Sequence, residues 1–284
     1  MNVLKFGGTS VANASNIKKV QEIVAHATAD KIAVVVSAFG GVTDMLLQAA
    51  DKASSQDDKY RHVLKKIEER HLTTVKELIP LKAQSTVLSK VKSELNILDT
   101  LLEGAFLIGE ITPKLSDKIV SFGELLSSFI ISEYLISTQL NAAYKDSREI
   151  IITNNDHGKA VVDFNTTNTR CKKYFKNTKH SITVLPGFIA ASFDGNSTTL
   201  GRGGSDYTAA IIASACSASE LQIWTDVSGM YTANPKMVKQ AKLISNISYQ
   251  EAMELSHFGA KVMYPPTIKT VLSKVIAILI KNTF

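Results

Sequence analysis

Three glycine turns carry the residues of this 284-residue chain that could do chemistry: Gly7-Gly8, Gly40-Gly41, and Gly201-Arg202-Gly203-Gly204-Ser205-Asp206. Glycine lets the backbone approach a ligand closely, and a helix start offers unpaired N–H groups to an anion. A lone glycine pair marks an ordinary turn more often than a ligand site, so the weight here falls on the charges beside the turns. Lys5 stands two residues before Gly7 in an otherwise apolar run, where a lysine is disfavoured unless it reaches something anionic. A solvated edge lysine is the plainer alternative. Arg202 lies inside the third turn, and its planar fork suits a carboxylate. Asp206 follows at the start of a helix, as an N-cap or as the organiser of a metal and a lysine. Together these features outline a phosphate cradle beside a seat for a carboxylate.

Other chemistries find less support. There is no Gly-x-x-x-x-Gly-Lys-Ser/Thr and no Gly-x-Gly-x-x-Gly after a strand, which disfavours a P-loop NTPase or a dinucleotide enzyme. The two cysteines, Cys171 and Cys216, and the six scattered histidines do not form a cluster at metal-ligand spacing, so no directly bound metal is expected. The net charge of +6 suits an anionic small molecule. It does not argue for nucleic acid, because Lys65, Lys66, Lys90 and Lys92 interleave with Glu68, Glu69 and Glu94 as on a solvated helix face. With 45% hydrophobic and 20% charged residues, the composition is that of a globular protein. No apolar run approaches the roughly 20 residues of a membrane helix, and the first residues lack a signal-peptide layout. The expectation is a cytoplasmic protein without a membrane or nucleic-acid partner.

The elements that must position these residues follow from periodicity. Residues 3–6 read as a buried strand entering the first glycine turn, and Ile17, Val20, Ile23, Val24 and Ala27 then recur at helical spacing. The run 32–36 repeats this unit, with a helix through Met45, Leu46 and Ala49 after Gly40-Gly41. Strands that are apolar throughout, alternating with amphipathic helices, predict an α/β fold around a parallel sheet covered on both faces. Residues 60–137 read as nearly all helix, punctuated by Pro80 and Pro113. Strand-like runs return at 142–145, 149–153 and 182–190, and a loop rich in Gly, Ser and Thr spans 194–205. A small-residue helix is predicted over 207–218, then a strand at 221–225, a helix near 267–273 and a last strand at 275–281.

Six motifs, in order along the whole chain, resemble aspartate kinase: Lys5-Phe6-Gly7-Gly8-Thr9-Ser10; Ser37-Ala38 with Gly41-Val42-Thr43; Phe122-Gly123-Glu124; Gly201 to Asp206; Trp224-Thr225-Asp226-Val227 with Gly229 and Tyr231; and Phe258-Gly259-Ala260-Lys261-Val262. The resemblance implies a three-layer αβα sandwich around a central, mainly parallel sheet, the fold of the amino acid kinase superfamily. It implies one catalytic domain over 1–284, with a substrate-binding lobe of about 1–190 and a nucleotide-binding lobe of about 191–284. The implied reaction moves the γ-phosphoryl group of ATP to the side-chain carboxylate of L-aspartate, the first step toward lysine, threonine and methionine, with Mg²⁺ carried by the ATP phosphates. By the same resemblance Lys5 and Asp206 are catalytic. Ser37, Thr43, Glu124, Arg202, Gly203, Gly204 and Ser205 hold the amino acid. Lys5, Gly7, Gly8, Thr9, Ser10, Thr225, Asp226, Tyr231, Lys236, Lys261 and Val262 hold the nucleotide.

Plainer readings stand beside these roles: Glu124 as a surface residue of an amphipathic helix, Thr43 as an N-cap, Asp226 as a turn residue, Tyr231 as a packed aromatic. The chain also departs from the family pattern, with Asn234-Pro235-Lys236 for Asp-Pro-Arg and Tyr264 where a histidine is common. Lysine keeps the charge but loses the fork, which puts the phosphate contact at Lys236 in doubt. In the family, regulatory domains, and in some members a homoserine dehydrogenase, follow a strand like 276–281. A fragment without them is the expectation here, with weak feedback control and a homodimer weaker than the parent's. The alternatives are a relative acting on glutamate, acetylglutamate, carbamate or a nucleoside monophosphate, and a non-catalytic amino-acid or nucleotide sensor.

Overall fold

A strand of five apolar residues has no wet face to offer, so the run 32–36 must be covered above and below. In the computed structural model, which describes residues 1–233, 237–257 and 264–284, all five are buried. The chain runs through β1 (Asn2–Phe6), α1 (Ala14–Ala25), β2 (Ile32–Val36), α2 (Val42–Ser54), α3 (Tyr60–Leu78), α4 (Leu81–Ile108), α5 (Pro113–Ser137), β3 (Ala142–Tyr144) and β4 (Ile152–Thr153). It continues with α6 (Phe164–Asn177), β5 (Ile182–Pro186), β6 (Ile189–Ser192), β7 (Ser197–Thr199), α7 (Gly204–Cys216), β8 (Glu220–Thr225), α8 (Tyr249–His257), α9 (Pro265–Leu272) and β9 (Ala277–Asn282). Six strands form one parallel sheet in the order β3-β5-β2-β1-β8-β9, and β4-β6-β7 form a small mixed sheet.

Alternation across the strands sorts the core into two layers. Leu4, Phe6, Val34 and Val36 pack with residues of α1 to α5 such as Ile17, Leu46, Ile67, Leu98 and Leu126. Val3, Ala33 and Val35 face the other way, toward Cys171, Ile211, Ile212 and Ile268 of α6, α7 and α9. The expected αβα sandwich is present. Its sheet takes strands from both sides of residue 190, so the two parts share one sheet rather than forming separate cores.

The structure corrects several boundaries. The run 182–190 is two strands in two sheets, broken at Gly187 and Phe188, where Phe188 takes φ 65°. Periodicity could not reveal this, because both pieces are fully buried. The run 149–153 opens in a 3-10 turn (Ser147–Glu149) before β4, and the loop 194–205 contains β7. Helix α6 was missed because its buried stripe, Thr167, Cys171 and Phe175, includes a polar residue, whose hydroxyl donates to the Ile152 carbonyl. Helix α8 was also unforeseen. Among the described residues α5 is long and apolar enough to cross a membrane, with a mean hydropathy of 1.5 over a window that is 83% buried inside the fold. That differs from the reading that no such run exists. The apolarity of α5 serves the interior: it packs against α2, α4 and β5.

Gly123 shows how tightly α5 is seated. A Cβ there would stand 2.9 Å from the Cβ of Ala38, itself buried in the turn after β2. Glycine costs a helix about 1 kcal/mol relative to alanine, so an unconstrained helix would gain from the replacement. Here Gly123→Ala is expected to destabilise the fold by about 1–3 kcal/mol through overpacking, read as a lower urea midpoint; a raised midpoint would show that α5 has room to withdraw.

Candidate active site

The carboxyl ends of parallel strands are where open α/β sheets bind ligands, and the charged residues gather there. On β1, Lys5 shares the parity of Val3 and so points to the α7 side of the sheet. Asp206, in the first turn of α7, meets it with Nζ and Oδ1 2.6 Å apart, the side chains only 10% and 16% exposed. Asp206 Oδ1 has no other partner among the described residues. Removing either ion would leave the other buried and uncompensated. Asp206 is therefore not the N-cap of α7. That position belongs to Gly203, at φ 68°, where a Cβ would fall 2.6 Å from the Cβ of Tyr264. Glycine is the residue that satisfies both constraints.

The helix start so formed lines a cavity of about 410 Å³, and within its first turn the Ser205 and Asp206 amides have no backbone acceptor among the described residues. Of the residues nominated from the sequence, Lys5, Gly8, Ser37, Thr43, Glu124, Arg202, Gly203, Gly204, Ser205 and Asp206 line this cavity. Arg202 is exposed at its rim and makes no ion pair among the described residues. Thr43 is not a cap either: α2 begins at Val42 behind Gly41, and Thr43 lies in its first turn.

The other nominated residues stand elsewhere. Gly7 backs the lysine: a Cβ there would approach Lys5 Nζ to 3.4 Å. Thr9 is exposed, and its carbonyl accepts from Asn16 at 2.8 Å. Ser10 is buried away from the cavity, its hydroxyl 2.7 Å from that of Thr283 and 3.3 Å from the Trp224 carbonyl. The Gly7 amide donates to that same Trp224 carbonyl at 3.1 Å, which sets Thr225 and Asp226 beside the first glycine turn but outside the cavity. Tyr231 forms an isolated bridge with Leu243. Lys236, Lys261 and Val262 lie outside the described residues.

Glu124 is not a surface residue. It is 4% exposed, its Oε1 accepts the Ala38 amide at 3.1 Å, and its Oε2 has no partner among the described residues. Burial pushes its carboxyl up to about 8, against the opposing pull of the Ala38 hydrogen bond. In the empty cavity it holds a proton at neutral pH, while a cation placed against Oε2 would favour the charged form. The cavity thus offers a cation receptor at Glu124 and anion receptors at Arg202, Lys5 and the α7 amides. No group of three or more His, Cys, Asp or Glu suited to a metal occurs among the described residues.

Sequence reasoning overlooked Phe39, Asp44 and Phe188, which also line the cavity. Asp44 follows Thr43 and Phe188 follows Gly187, so nearness to a glycine turn was the available signal. Phe39 rests on the buried ring of His71, with centroids 5.0 Å apart. Burial lowers that imidazole to about 4, leaving it neutral.

The sequence profile of the amino acid kinase family matches residues 1–282. The chain belongs to the amino acid kinase family. Within that family it is 36% identical over 284 residues to the chloroplastic bifunctional aspartokinase/homoserine dehydrogenase 1 of Zea mays, covering 100% of this chain and 31% of that protein. It is 35% identical over 272 residues to the lysine-sensitive aspartokinase 3 of Escherichia coli (strain K12), covering 94% and 58%. The crystal structure of E. coli aspartokinase III in complex with aspartate and ADP superposes with a TM-score of 0.92 at 32% identity, over 100% of this chain and 62% of that one. The chain therefore spans about a third of the length of the bifunctional relatives and between half and three-fifths of the aspartokinases.

The Glu124 carboxyl makes a test of this family member's empty site. Unfolded, it titrates near 4.5, and folded near 8. Between those values the folded chain holds a proton that the unfolded chain releases, so its contribution is fully present below about 4.5 and lost as pH rises through about 8. Glu124→Gln stays neutral throughout. Relative to wild type, its unfolding free energy is expected to rise by on the order of a few kcal/mol from pH 5 to pH 9, measured by urea unfolding without ligand. A difference independent of pH would mean that Glu124 is already ionised in the empty site.

Proposed function

We propose that this chain is the catalytic unit of an aspartate kinase, moving the γ-phosphoryl group of Mg-ATP to the side-chain carboxylate of L-aspartate to give 4-phospho-L-aspartate and ADP. The observation that carries this reading is that a buried, half-unpartnered carboxylate, Glu124, and an unpaired guanidinium, Arg202, line the same cavity as Lys5 and the start of α7. A free α-amino acid has the matching pair of charges. In the proposal its ammonium takes Oε2 of Glu124, its α-carboxylate takes Arg202, and Ser37 and Thr43 supply hydroxyls. The second carboxylate then faces Lys5. N-acylated, carbamate and nucleotide acceptors bring no ammonium for Glu124.

The chemistry asks little covalent work of the protein. A side-chain carboxylate with a pKa of about 3.9 is already ionised at neutral pH, so it needs alignment and charge neutralisation rather than a base. Lys5 is proposed to stabilise charge on the transferring phosphoryl group, and Asp206 to hold the ammonium in place. The Gly8, Gly203 and Ser205 amides, unlike those of Gly7 and Gly204, have no backbone acceptor among the described residues and add fixed dipoles that need not reorganise during the reaction. This cationic, amide-rich surface fits nucleotide phosphates, and Mg²⁺ carried by them would offset their charge. Thr225 and Asp226, beside the first glycine turn, support a nucleotide seat in the 191–284 part, with Thr9, Tyr231, Lys236, Lys261 and Val262 as its further proposed members. For Ser10 the proposed part is holding that turn, through the Thr283 hydroxyl and the Trp224 carbonyl.

The experiment is ADP release from Mg-ATP with L-aspartate, L-glutamate, N-acetylglutamate or no acceptor, with hydroxylamine present to trap an acyl phosphate. Turnover with aspartate that yields a hydroxamate is expected; turnover only with another acceptor would reassign the substrate. Lys5→Ala is expected to abolish turnover and, by stranding Asp206, to lower the urea midpoint of a chain that still folds, and near-normal activity in that variant would sink the mechanism. Arg202→Ala is expected to weaken aspartate use by about 2 kcal/mol or more, the loss that follows if the bound α-carboxylate covers this exposed guanidinium and forms a desolvated pair with it.

A further inference from the structure

Asp117 is a second buried carboxylate on α5, 3% exposed and seven residues before Glu124, a separation of about 10 Å along the same face of the helix. Unlike Glu124, it is saturated. Its Oδ1 accepts the Thr199 hydroxyl at 2.6 Å and its Oδ2 accepts from Nδ1 of His157 at 2.8 Å. The Gly158 amide reaches both oxygens, at 3.2 and 3.0 Å. Three groups from two separate segments thus converge on one side chain. A buried carboxylate is weak evidence of stabilisation, since an apolar residue of similar volume often does as well. What it supplies here is position, because it holds both segments against one rigid helix.

Both segments lead to Arg202. Thr199 ends β7, and the chain reaches Arg202 only three residues later. The Gly158 carbonyl lies 3.4 Å from where a Cβ on Gly201 would stand, so the 157–158 turn forms the floor beneath the glycine loop. Leu200 is tied to the Phe188 carbonyl at 2.9 Å, and the Gly204 amide to the Gly201 carbonyl at 3.0 Å. The loop is thereby fixed at its entry, floor and exit, while the Arg202 side chain is exposed and without an ion-pair partner among the described residues. We infer that Asp117 is a positioning residue: through Thr199, His157 and Gly158 it locks the loop bearing Arg202 to the helix that bears Glu124, and so sets the spacing between the two ends of the amino-acid seat. The kinetic consequence rests on the proposed function, whereas the clamp itself does not.

Two readouts separate these parts. Amide hydrogen exchange on the ligand-free chain tests the clamp. Thr199→Val, which keeps shape but loses the hydroxyl, and Asp117→Asn are each expected to speed exchange at the hydrogen-bonded amides of 158, 200 and 204 tenfold or more, with 2–6 and 208–216 unchanged. Thr199→Ser is expected to restore slow exchange. Steady-state kinetics test the consequence: Thr199→Val should raise KM for aspartate tenfold or more, leave KM for Mg-ATP within threefold and lower kcat less than KM rises, with Thr199→Ser near wild type. Unchanged exchange at 200 and 204 in Thr199→Val would overturn the clamp even if Asp117→Asn fails to fold. Faster exchange with both KM values rising together would overturn the positioning role and leave a purely structural one. If wild type does not phosphorylate aspartate, the exchange result still decides the clamp, and the functional reading fails alone.

Discussion

An ammonium on the central strand of a sheet covered on both faces is tolerable only if a counter-charge reaches it, and that requirement organises the carboxyl edge of this fold. β1 lies between β2 and β8, so Lys5 has no sheet edge to snorkel toward. Its partner must come from the layer above, and Asp206 reaches it only because α7 starts over the end of β1. The same demand places the start of α7, with its unpaired amides, next to the ammonium. An ion pair desolvated to this degree returns little net stability. It does hold one positive charge at a fixed point beside a cavity, and in the proposed reaction such a charge would stabilise developing negative charge without reorganisation.

Helix α5 is the second fixed reference. It approaches the turn after β2 so closely that position 123 has no room for a methyl group, and this approach lets Glu124 accept the Ala38 amide. Ser127 of the same helix donates to the Ser37 carbonyl at 2.8 Å, one turn further on. A buried helix that is 25 residues long and supported by α2, α4 and β5 is a stiff element, and it carries polar groups for the site at several levels. Its apolar composition, which imitates a membrane span, is what allows those few polar side chains to be held without competing water.

Legibility from sequence followed how local each constraint was. The strands at β1, β2 and β8, the glycine turns and the out-of-place Lys5 were readable because each departs from its immediate neighbours. The resemblance of six motifs then drew in Glu124, which alone would have passed for a surface residue. Constraints between distant residues left no such trace. Asp117 meets partners 40 and 82 residues away, and nothing within its own helical pattern marks it. Ser10, beside a glycine turn, reads as a phosphate donor, yet its hydroxyl meets a residue 273 positions later. The break at Gly187 and Phe188 was hidden by uniform burial on both sides, and α6 by a threonine occupying a core position of its stripe.

A half-satisfied carboxyl in a buried pocket is costly, so its presence in the fold bears on how the proposed reaction would select among acceptors. With Oε2 lacking a partner among the described residues, burial favours the neutral form of Glu124 and lowers the cost of leaving that oxygen unpaired. In the proposed reaction an ammonium replaces the proton, and the ion pair forms at an oxygen that is already buried. An acceptor whose nitrogen is acylated leaves Oε2 as it was and gains nothing there. Discrimination of this kind is stronger than discrimination by size: a missing methylene is worth about 1–3 kcal/mol, whereas a site built around a polar group penalises every ligand that leaves it unpaired. Under the proposed function, separating aspartate from glutamate is the harder task for this cavity, since both bring the charges proposed to meet Glu124 and Arg202. It falls to the distance between that pair and Lys5, which two rigid elements, α5 and the β1–α7 ion pair, hold constant.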